Sequence, residues 1–425
     1  MYEVLSIILL LLTIFAGGCN HKENGISIEK KDVTIVFKHG KIAGNPDVLR
    51  EILKRFEEEN PGIKIKDETL PSSTDEQHQF YVINLEGRSN DFDVLSMDVI
   101  WIQEFARAGW LKDLSAMIPE GKRGEFFSGP MEAVTYKKRV YAVPWYIDAG
   151  LLYYRKDILK KYNLSPPSTW DELVSTASAV MEKEEGLYGF IWQGKQYEGL
   201  VCNVLEYIWS NGGDVIRGED IVIDSPETIE ALQFMQDMIY KYRISPELVT
   251  TSIEEPTRHI FENGKAIFMR NWPYAWNIFN REGSPVRGKV GVSILPAFKG
   301  KKSASTLGGW QLGVNRYSGH PEEAEKFIRF MTSYDIQKVL ALTIGYKPTI
   351  KALYKDKKLI DAQPFIVGLY DVFTHARPRP VSPLYMMVTQ AMQPAFSSVL
   401  AKSKTPEDAV RSLRKELESI LKIEN

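Results

Sequence analysis

The stretch VTIVFKHGKIAGNPDVLREILKRFEEENPGIKI, residues 33–65, decides the architecture. Val33 to Lys38 is a short apolar run rich in β-branched and aromatic residues, which reads as a strand. Asn45-Pro46-Asp47 then reads as a helix start: an N-cap, a residue favoured at the first helical position, and an acidic first turn. Val48, Leu49, Ile52, Leu53 and Phe56 recur at helical spacing on one face up to about Asn60. Pro61-Gly62 stops that helix, and Ile63 to Ile65 opens a second strand. Strand, helix, strand is a βαβ unit, so a parallel sheet with helices on its faces is expected.

The same grammar continues outward. A helix is predicted near Asp75 to Glu86, a strand at Val94 to Ser96 and a helix near Trp101 to Ala108. An extended segment with Pro144 runs from Arg139 to Leu152, after which the pattern restarts. Ser168-Thr169 caps a helix to Met181, Gly189 to Trp192 is a strand, and Gly199 to Ser210 is a helix. Ser225-Pro226 caps a helix reaching Tyr240; Ala266 to Met269, Val290 to Leu295 and Gln311 to Val314 are later strands. Glu322 to Met331, Leu384 to Ala401 and Pro406 to Leu421 read as helices. No internal repeat is seen. The chain is too long for one hydrophobic core, and two α/β lobes with a ligand cleft between them are expected.

The N-terminus carries an address. An apolar run from Val4 to Phe15 ends in Ala16-Gly17-Gly18-Cys19, and it is far shorter than a membrane-spanning helix needs. It resembles a lipoprotein signal peptide, residues 1–18, which implies that Cys19 becomes the acylated N-terminus. Ala16 and Glu3 depart from that pattern. An ordinary secretory signal is the alternative, and either way the working protein lies outside the cytoplasm. Residues 19–32 are polar and read as a flexible tether.

Composition narrows the function. A net charge of -2 with no basic block argues against nucleic acid as a partner. Hydrophobic residues at 44% and charged residues at 25% argue for a folded chain. Cys19 and Cys202 are the only cysteines, so lipid on Cys19 leaves no disulfide; Cys202, in the apolar stretch Leu200 to Ile208, reads as a buried structural thiol. Six histidines without HxH or HxxxH spacing, and no CxxC, give no metal site. No P-loop, GxSxG or GxGxxG motif is present, and no cofactor is expected.

Several strings point one way together: Phe56 through Ile65, Pro167-Ser168-Thr169-Trp170-Asp171-Glu172-Leu173, Gly264-Lys265-Ala266-Ile267-Phe268-Met269 ahead of Trp272, and Gly308-Gly309-Trp310. Over essentially the whole mature chain they resemble extracellular solute-binding proteins of ABC sugar importers, the group that includes maltose-binding protein. Met97-Asp98-Val99-Ile100-Trp101, Ala106 through Leu111, Pro144 through Gly150 and Trp192 through Gly199 resemble the trehalose/maltose-binding subgroup. The resemblance implies a two-lobe periplasmic-binding-protein fold with a multi-segment hinge. It implies a sugar held between the lobes and a membrane permease as partner. Lobe I is expected over 33–143 and 298–352, and lobe II over 144–297 and 353–425.

A sugar offers a rim of hydroxyls and an apolar C–H face, so its site pairs carboxylates or guanidinium groups with flat rings. Asp98 follows a strand and is either a sugar acceptor or the N-cap of the next helix; the resemblance favours the first. Asp148 sits beside Tyr146 and Trp145 near the expected lobe crossing and is the leading candidate, with Tyr146 as hydrogen-bonding or stacking partner and Trp145 packing in the lobe. The alternative is an exposed loop carboxylate. Trp272, at a strand end, is a stacking platform or a core residue; Trp276 reads as core. Trp310 is a second platform with a backbone contact from Gly309, unless Gly308-Gly309 is a plain turn. Arg379 matches the family's sugar-contacting arginine by its spacing from Trp310, Arg377 is the substitute, and a surface ion pair is the alternative for both. Ser72 and Gln77 could meet a second sugar ring, or cap a helix with Ser73 and Thr74. Asn45 is equally ambiguous.

The expected function is a lipid-anchored monomeric receptor that closes on a disaccharide of trehalose or maltose type and delivers it to the permease. It is not expected to be an enzyme. A secreted glycoside hydrolase would also want two carboxylates, but Asp98 and Asp148 are expected in different lobes. A surface protein for peptides or adhesion is a third reading.

Overall fold

The computed structural model describes residues 32–422 except Ala43 and Glu219. The expected signal peptide, the Cys19 acceptor and all of the tether but Asp32 lie outside the described residues. Two sheets organise the fold. In chain order their strands are β1 (Val33–His39), β2 (Ile63–Thr69), β3 (Val94–Asp98), β4 (Val143–Ala149), β5 (Leu151–Arg155), β6 (Tyr188–Ile191), β7 (Ala266–Asn271), β8 (Val290–Ser293), β9 (Leu307–Val314) and β10 (Lys347–Pro348). The first sheet has six strands in the order β10-β4-β9-β3-β1-β2; the second has four in the order β8-β5-β7-β6.

The βαβ opening forms as its pattern dictates. β1 pairs parallel with β2 and β3, and Ile35 and Phe37 point into the core. The helix α1 (Asp47–Glu59) lays Leu49, Ile52, Leu53 and Phe56 against the sheet. It begins at Asp47 with Pro46 at the cap position, one residue later than expected. The sheet is mixed rather than wholly parallel. β9 returns from the other lobe and inserts antiparallel between β3 and β4.

Six further helices matter below: α2 (Thr74–Glu86), α3 (Trp170–Met181), α4 (Glu198–Ser210), α5 (Pro226–Tyr240), α6 (Glu254–Glu262) and α7 (Ala275–Asn280). α3 opens on a capping box: Thr169 Oγ1 accepts the Glu172 N–H, and the Glu172 carboxylate accepts the Thr169 N–H. Its Trp170 stacks on Tyr207 of α4 with ring centroids 4.0 Å apart. α8 (Tyr334–Thr343) and α9 (Ile366–His375) precede the closing pair α10 (Tyr385–Leu400) and α11 (Pro406–Leu421). Both α10 and α11 pack on α5, and α10 also packs on α4.

The expected two-lobed α/β arrangement is observed, with three connections between the sheets. β4 passes to β5 through Gly150, the chain returns into β9 through Ser305-Thr306, and it leaves again through Arg377. These connections lie side by side. Ser305 Oγ donates to the Gly150 carbonyl (2.8 Å), the Arg377 N–H to the Ser305 carbonyl (2.9 Å), and the Leu307 N–H to the Arg377 carbonyl (2.8 Å). Gly150 has no room for a side chain, because an added Cβ would lie 2.0 Å from Glu206 Oε1.

Non-local pairing moves the lobe assignments from those expected. β4, with residues 144–149, joins the first sheet because β9 and β10 pair with it. Phe298 packs on Phe234 of α5, so the return falls after it. Residues beyond 352 also stay with the first sheet: Tyr354, Tyr370 and Phe373 ring Phe127 at 5.2, 5.3 and 5.9 Å.

Candidate functional site

A cavity of about 370 Å³ opens between the two sheets, within the size range of small-molecule sites. Its first-sheet wall is built by register. β9 places Trp310 opposite both Asp98 on β3 and Tyr146 on β4, and Gly308 opposite Asp148. The two carboxylates therefore share one sheet, on strands flanking β9. The expectation that they belong to different lobes fails because β4 pairs into the first sheet. Gly308-Gly309-Trp310 is strand and not a turn. Gly309 adopts φ +120°, and an added Cβ would lie 2.4 Å from the Tyr146 carbonyl oxygen. Only glycine lets the backbone lie this close and line the cavity.

Asp98 takes both roles that its sequence left open. Its Oδ1 accepts the Ile100 N–H (3.2 Å), a local cap, and also accepts from Arg379 Nη2 (3.0 Å). Arg379 is 3% exposed and lines the cavity. Its Nη1 donates to Glu198 Oε1 (2.7 Å), and its Nη2 reaches the Leu307 carbonyl (3.4 Å). Glu198 also accepts from Tyr385 OH (2.7 Å) and Thr389 Oγ1. Burial raises its carboxyl, and Arg379 opposes that rise. Arg379 thus joins a carboxylate of the first sheet to one at the start of α4.

Asp148 has a different environment. Burial pushes its carboxyl up to about 7, with a contribution from Asp98, while the ammonium of Lys347 and the guanidinium of Arg270 pull it down. Burial likewise brings Lys347 down to about 7 against the pull of Asp148. Lys347 extends from β10, beside β4, and donates to Gln363 Oε1. A carboxylate poised this way gains most from a ligand hydroxyl donated to its ionised form.

The aromatic walls face one another across the cleft. Trp272, just past β7, is half-buried; the Arg270 guanidinium stacks on its ring at 3.9 Å, and its Nε1 donates to Glu254 Oε1 (3.3 Å). Arg270 is itself fixed by a buried pair with Glu206 (2.6 Å). An added Cβ on Gly308 would touch the Trp272 ring at 3.2 Å, so the glycine leaves space for the indole. Trp310 is half-buried with its ring edge-on to Trp101, centroids 5.6 Å apart. Tyr146 stacks on Tyr346 (3.9 Å). Trp145 packs against Phe37 in the first lobe and also lines the cavity. Trp276, expected in the core, is only half-buried and leans on Phe365 (4.6 Å).

The cavity brings together Asp98, Tyr146, Asp148, Trp272, Gly309, Trp310, Arg379, Ser72 and Gln77. Gln77 is buried, its Nε2 donating to the Pro71 carbonyl (2.8 Å). The Ser73 side chain makes no cap bond, which removes that alternative for the start of α2. Asn45 does not join the cavity: it is exposed, and its Oδ1 accepts the Asp47 N–H (3.0 Å) at the start of α1. Arg377 forms the ion pair foreseen as its alternative, with Asp214 (2.6 Å), and lies over Trp209. Cys202 is buried in α4, its thiol raised by burial.

Sequence reasoning missed Glu198, Tyr197, Glu254, Tyr274 and Tyr346, which also line the cavity. Glu198 carried a signal in hindsight, as a lone carboxylate opening an apolar helix. Tyr346 carried none, because it lies in irregular chain just before the two-residue strand β10.

These features suit a polyhydroxylated ligand: acceptor-only carboxylates beside Arg379, and ring faces for apolar C–H groups. A sequence profile of the bacterial extracellular solute-binding protein family matches residues 42–338. A Deinococcus radiodurans protein described as a probable ABC transporter-binding protein is 40% identical over 369 residues, 84% of this chain and 87% of that one. The maltotriose-binding protein of Pyrococcus abyssi is 27% identical over 393 residues, 91% of this chain and 82% of that one. Among solved structures, maltose-bound MalE3 of Thermotoga maritima is 47% identical with a TM-score of 0.88, covering 91% of this chain and 100% of that one.

Proposed function

Because the chain belongs to the bacterial extracellular solute-binding protein family, we propose that its cleft closes on an α-linked disaccharide of maltose or trehalose type and presents it to the permease of an ABC importer. The observation that carries this reading is the shared register of Asp98, Asp148 and Trp310 on one sheet, facing Trp272 from the other. The carboxylates and Arg379 take the hydroxyl rim, while Trp272, Trp310 and Tyr146 take the apolar face. The maltose bound by the Thermotoga maritima relative and the maltotriose named for the Pyrococcus abyssi one support a glucoside ligand.

We place residues 33–149 and 307–375 in the first lobe, and 151–304 and 381–421 in the second. Acylation of Cys19 would tether the receptor outside the cytoplasm, beside its permease. A thermal-shift screen over maltose, trehalose, maltotriose and sucrose tests the ligand class. A sugar at about 100 times its Kd adds about 2.7 kcal/mol of stability, and silence across the panel would sink the reading. The hydrolase alternative is disfavoured by Asp98, whose carboxylate is already committed to Arg379 and a backbone N–H. Free glucose released from maltose or trehalose would reverse that judgement.

A further inference from the structure

α4 is a buried thirteen-residue helix that lacks a cap of its own. Tyr197 occupies its N-cap position and makes no side-chain cap bond. The first-turn N–H groups of such a helix need an acceptor. One comes from the opposite lobe. The Glu198 N–H acts on the carboxylate of Asp75, on the first turn of α2, and favours its ionised form. The same carboxylate accepts from Gln393 Nε2 (3.3 Å) on α10, and Gln393 Nε2 also reaches Thr389 Oγ1 (3.4 Å). Thr389 in turn donates to Glu198. Asp75 belongs to the β2–β3 connection of the first sheet, whereas Glu198, Thr389 and Gln393 all belong to helices of the second lobe.

Asp75 does not line the cavity, although Thr74 and Gln77 beside it do. A second cross-lobe contact accompanies it. Asn277 of α7 donates to the last carbonyls of α8, Ala341, Leu342 and Thr343, at 3.2–3.3 Å. Both contacts need the lobes drawn together, since each joins an element of one sheet to an element of the other.

We propose that Asp75 is a latch between the lobes: it caps α4 when the cleft is shut, and so sets how tightly a sugar is held without touching it. The inference rests on the reading that this cleft closes on sugar. A negative charge at a helix N-terminus, hydrogen-bonded and half-buried, favours the state that brings it there. Apparent affinity scales with the population of the binding-competent state, so the latch multiplies every sugar's affinity by one factor. A side chain that touched the ligand would instead discriminate between sugars.

The test uses the full chain, with maltose and maltotriose as probes, in the wild type and in Asp75→Asn, Asp75→Ala and Gln393→Ala. Asp75→Ala should raise the maltose Kd roughly tenfold, mainly through faster release, with Asp75→Asn and Gln393→Ala intermediate. The ratio of the two sugars' affinities should stay at its wild-type value. An unchanged Kd, or a changed ratio, overturns the latch. Hydrogen exchange at the amides of residues 198–201 gives a readout independent of sugar. Those amides should exchange several-fold faster in Asp75→Ala, and equal rates again overturn it. If the wild type binds neither sugar, the ligand assignment fails, and the exchange rates still decide the latch.

Discussion

Arg270 and Trp272 stack, guanidinium on indole, with the guanidinium carbon 3.9 Å from the ring centroid. The cation is held from behind by Glu206, so the indole is fixed in orientation before any ligand arrives. A platform that needs no ordering on binding loses less entropy than a mobile ring would. Trp272→Phe should therefore retain most sugar affinity, while Trp272→Ala should lose at least about tenfold. Calorimetric titration with the sugar found in the screen checks this; an unaltered Trp272→Ala would remove the ring from the site.

Removing the cation itself should act on the fold. Arg270→Ala leaves Glu206 buried without its partner, a loss of about 3–5 kcal/mol in stability. Chemical denaturation of the ligand-free protein measures it. A loss below about 1 kcal/mol would mean that Glu206 finds another partner.

Asp148 gives a pH signature. Its folded value, about 7, lies above that of an ordinary carboxyl, so its contribution to stability is full at low pH and is lost as pH rises through about 7. Lys347 runs the other way: its lowered value, also about 7, makes stability grow as pH rises from there toward the ordinary lysine range. Together they predict a shallow stability minimum near pH 7 in the ligand-free protein. Sugar hydroxyls donating to ionised Asp148 should release a proton on binding, so affinity should improve from pH 6 to pH 8. Titrations in two buffers of different ionisation enthalpy detect that proton. Asp148→Ala should abolish both the pH effect and the thermal shift, and a surviving shift would displace Asp148 from the site.

The two arginines of Arg377-Pro378-Arg379 should separate cleanly. Arg377→Ala removes an ion pair that is half exposed and should leave the sugar Kd within about twofold of the wild type. Arg379→Ala leaves Asp98 and Glu198 buried without their shared cation, and should cost both affinity and stability, about 3–5 kcal/mol in the latter. Equal effects from the two variants would contradict the assignment of Arg379 to the cleft.

Much of this architecture was legible residue by residue, wherever one period dominated. The stripe of α1, the Thr169–Glu172 box and the Ser225-Pro226 start of α5 are local signals that tertiary packing leaves in place. Asp148 and Trp272, singled out by the strings around them, and Arg379, singled out by its spacing from Trp310, all line the cavity. What stayed hidden depends on partners distant in sequence. Gly308-Gly309 also reads as a turn because paired glycines weaken a strand, yet β4 pairs with both of them, opposite Asp148 and Ile147. The same pairing draws residues 144–149, and Asp148 with them, into the first lobe. Asn45 illustrates the reverse case: a purely local helix-start signal that turned out to be only that.

Gly150, Ser305 and Arg377, hydrogen-bonded in a row where the chain passes three times between the sheets, have a mechanical consequence. Three parallel tethers tied edge to edge bend easily across their face but resist twisting and sideways slip. Motion of the halves is thereby confined to a single swing axis. A swing about that axis would return Trp272 to the same position over Gly308, so that a ligand would meet one repeatable geometry rather than a family of misaligned ones.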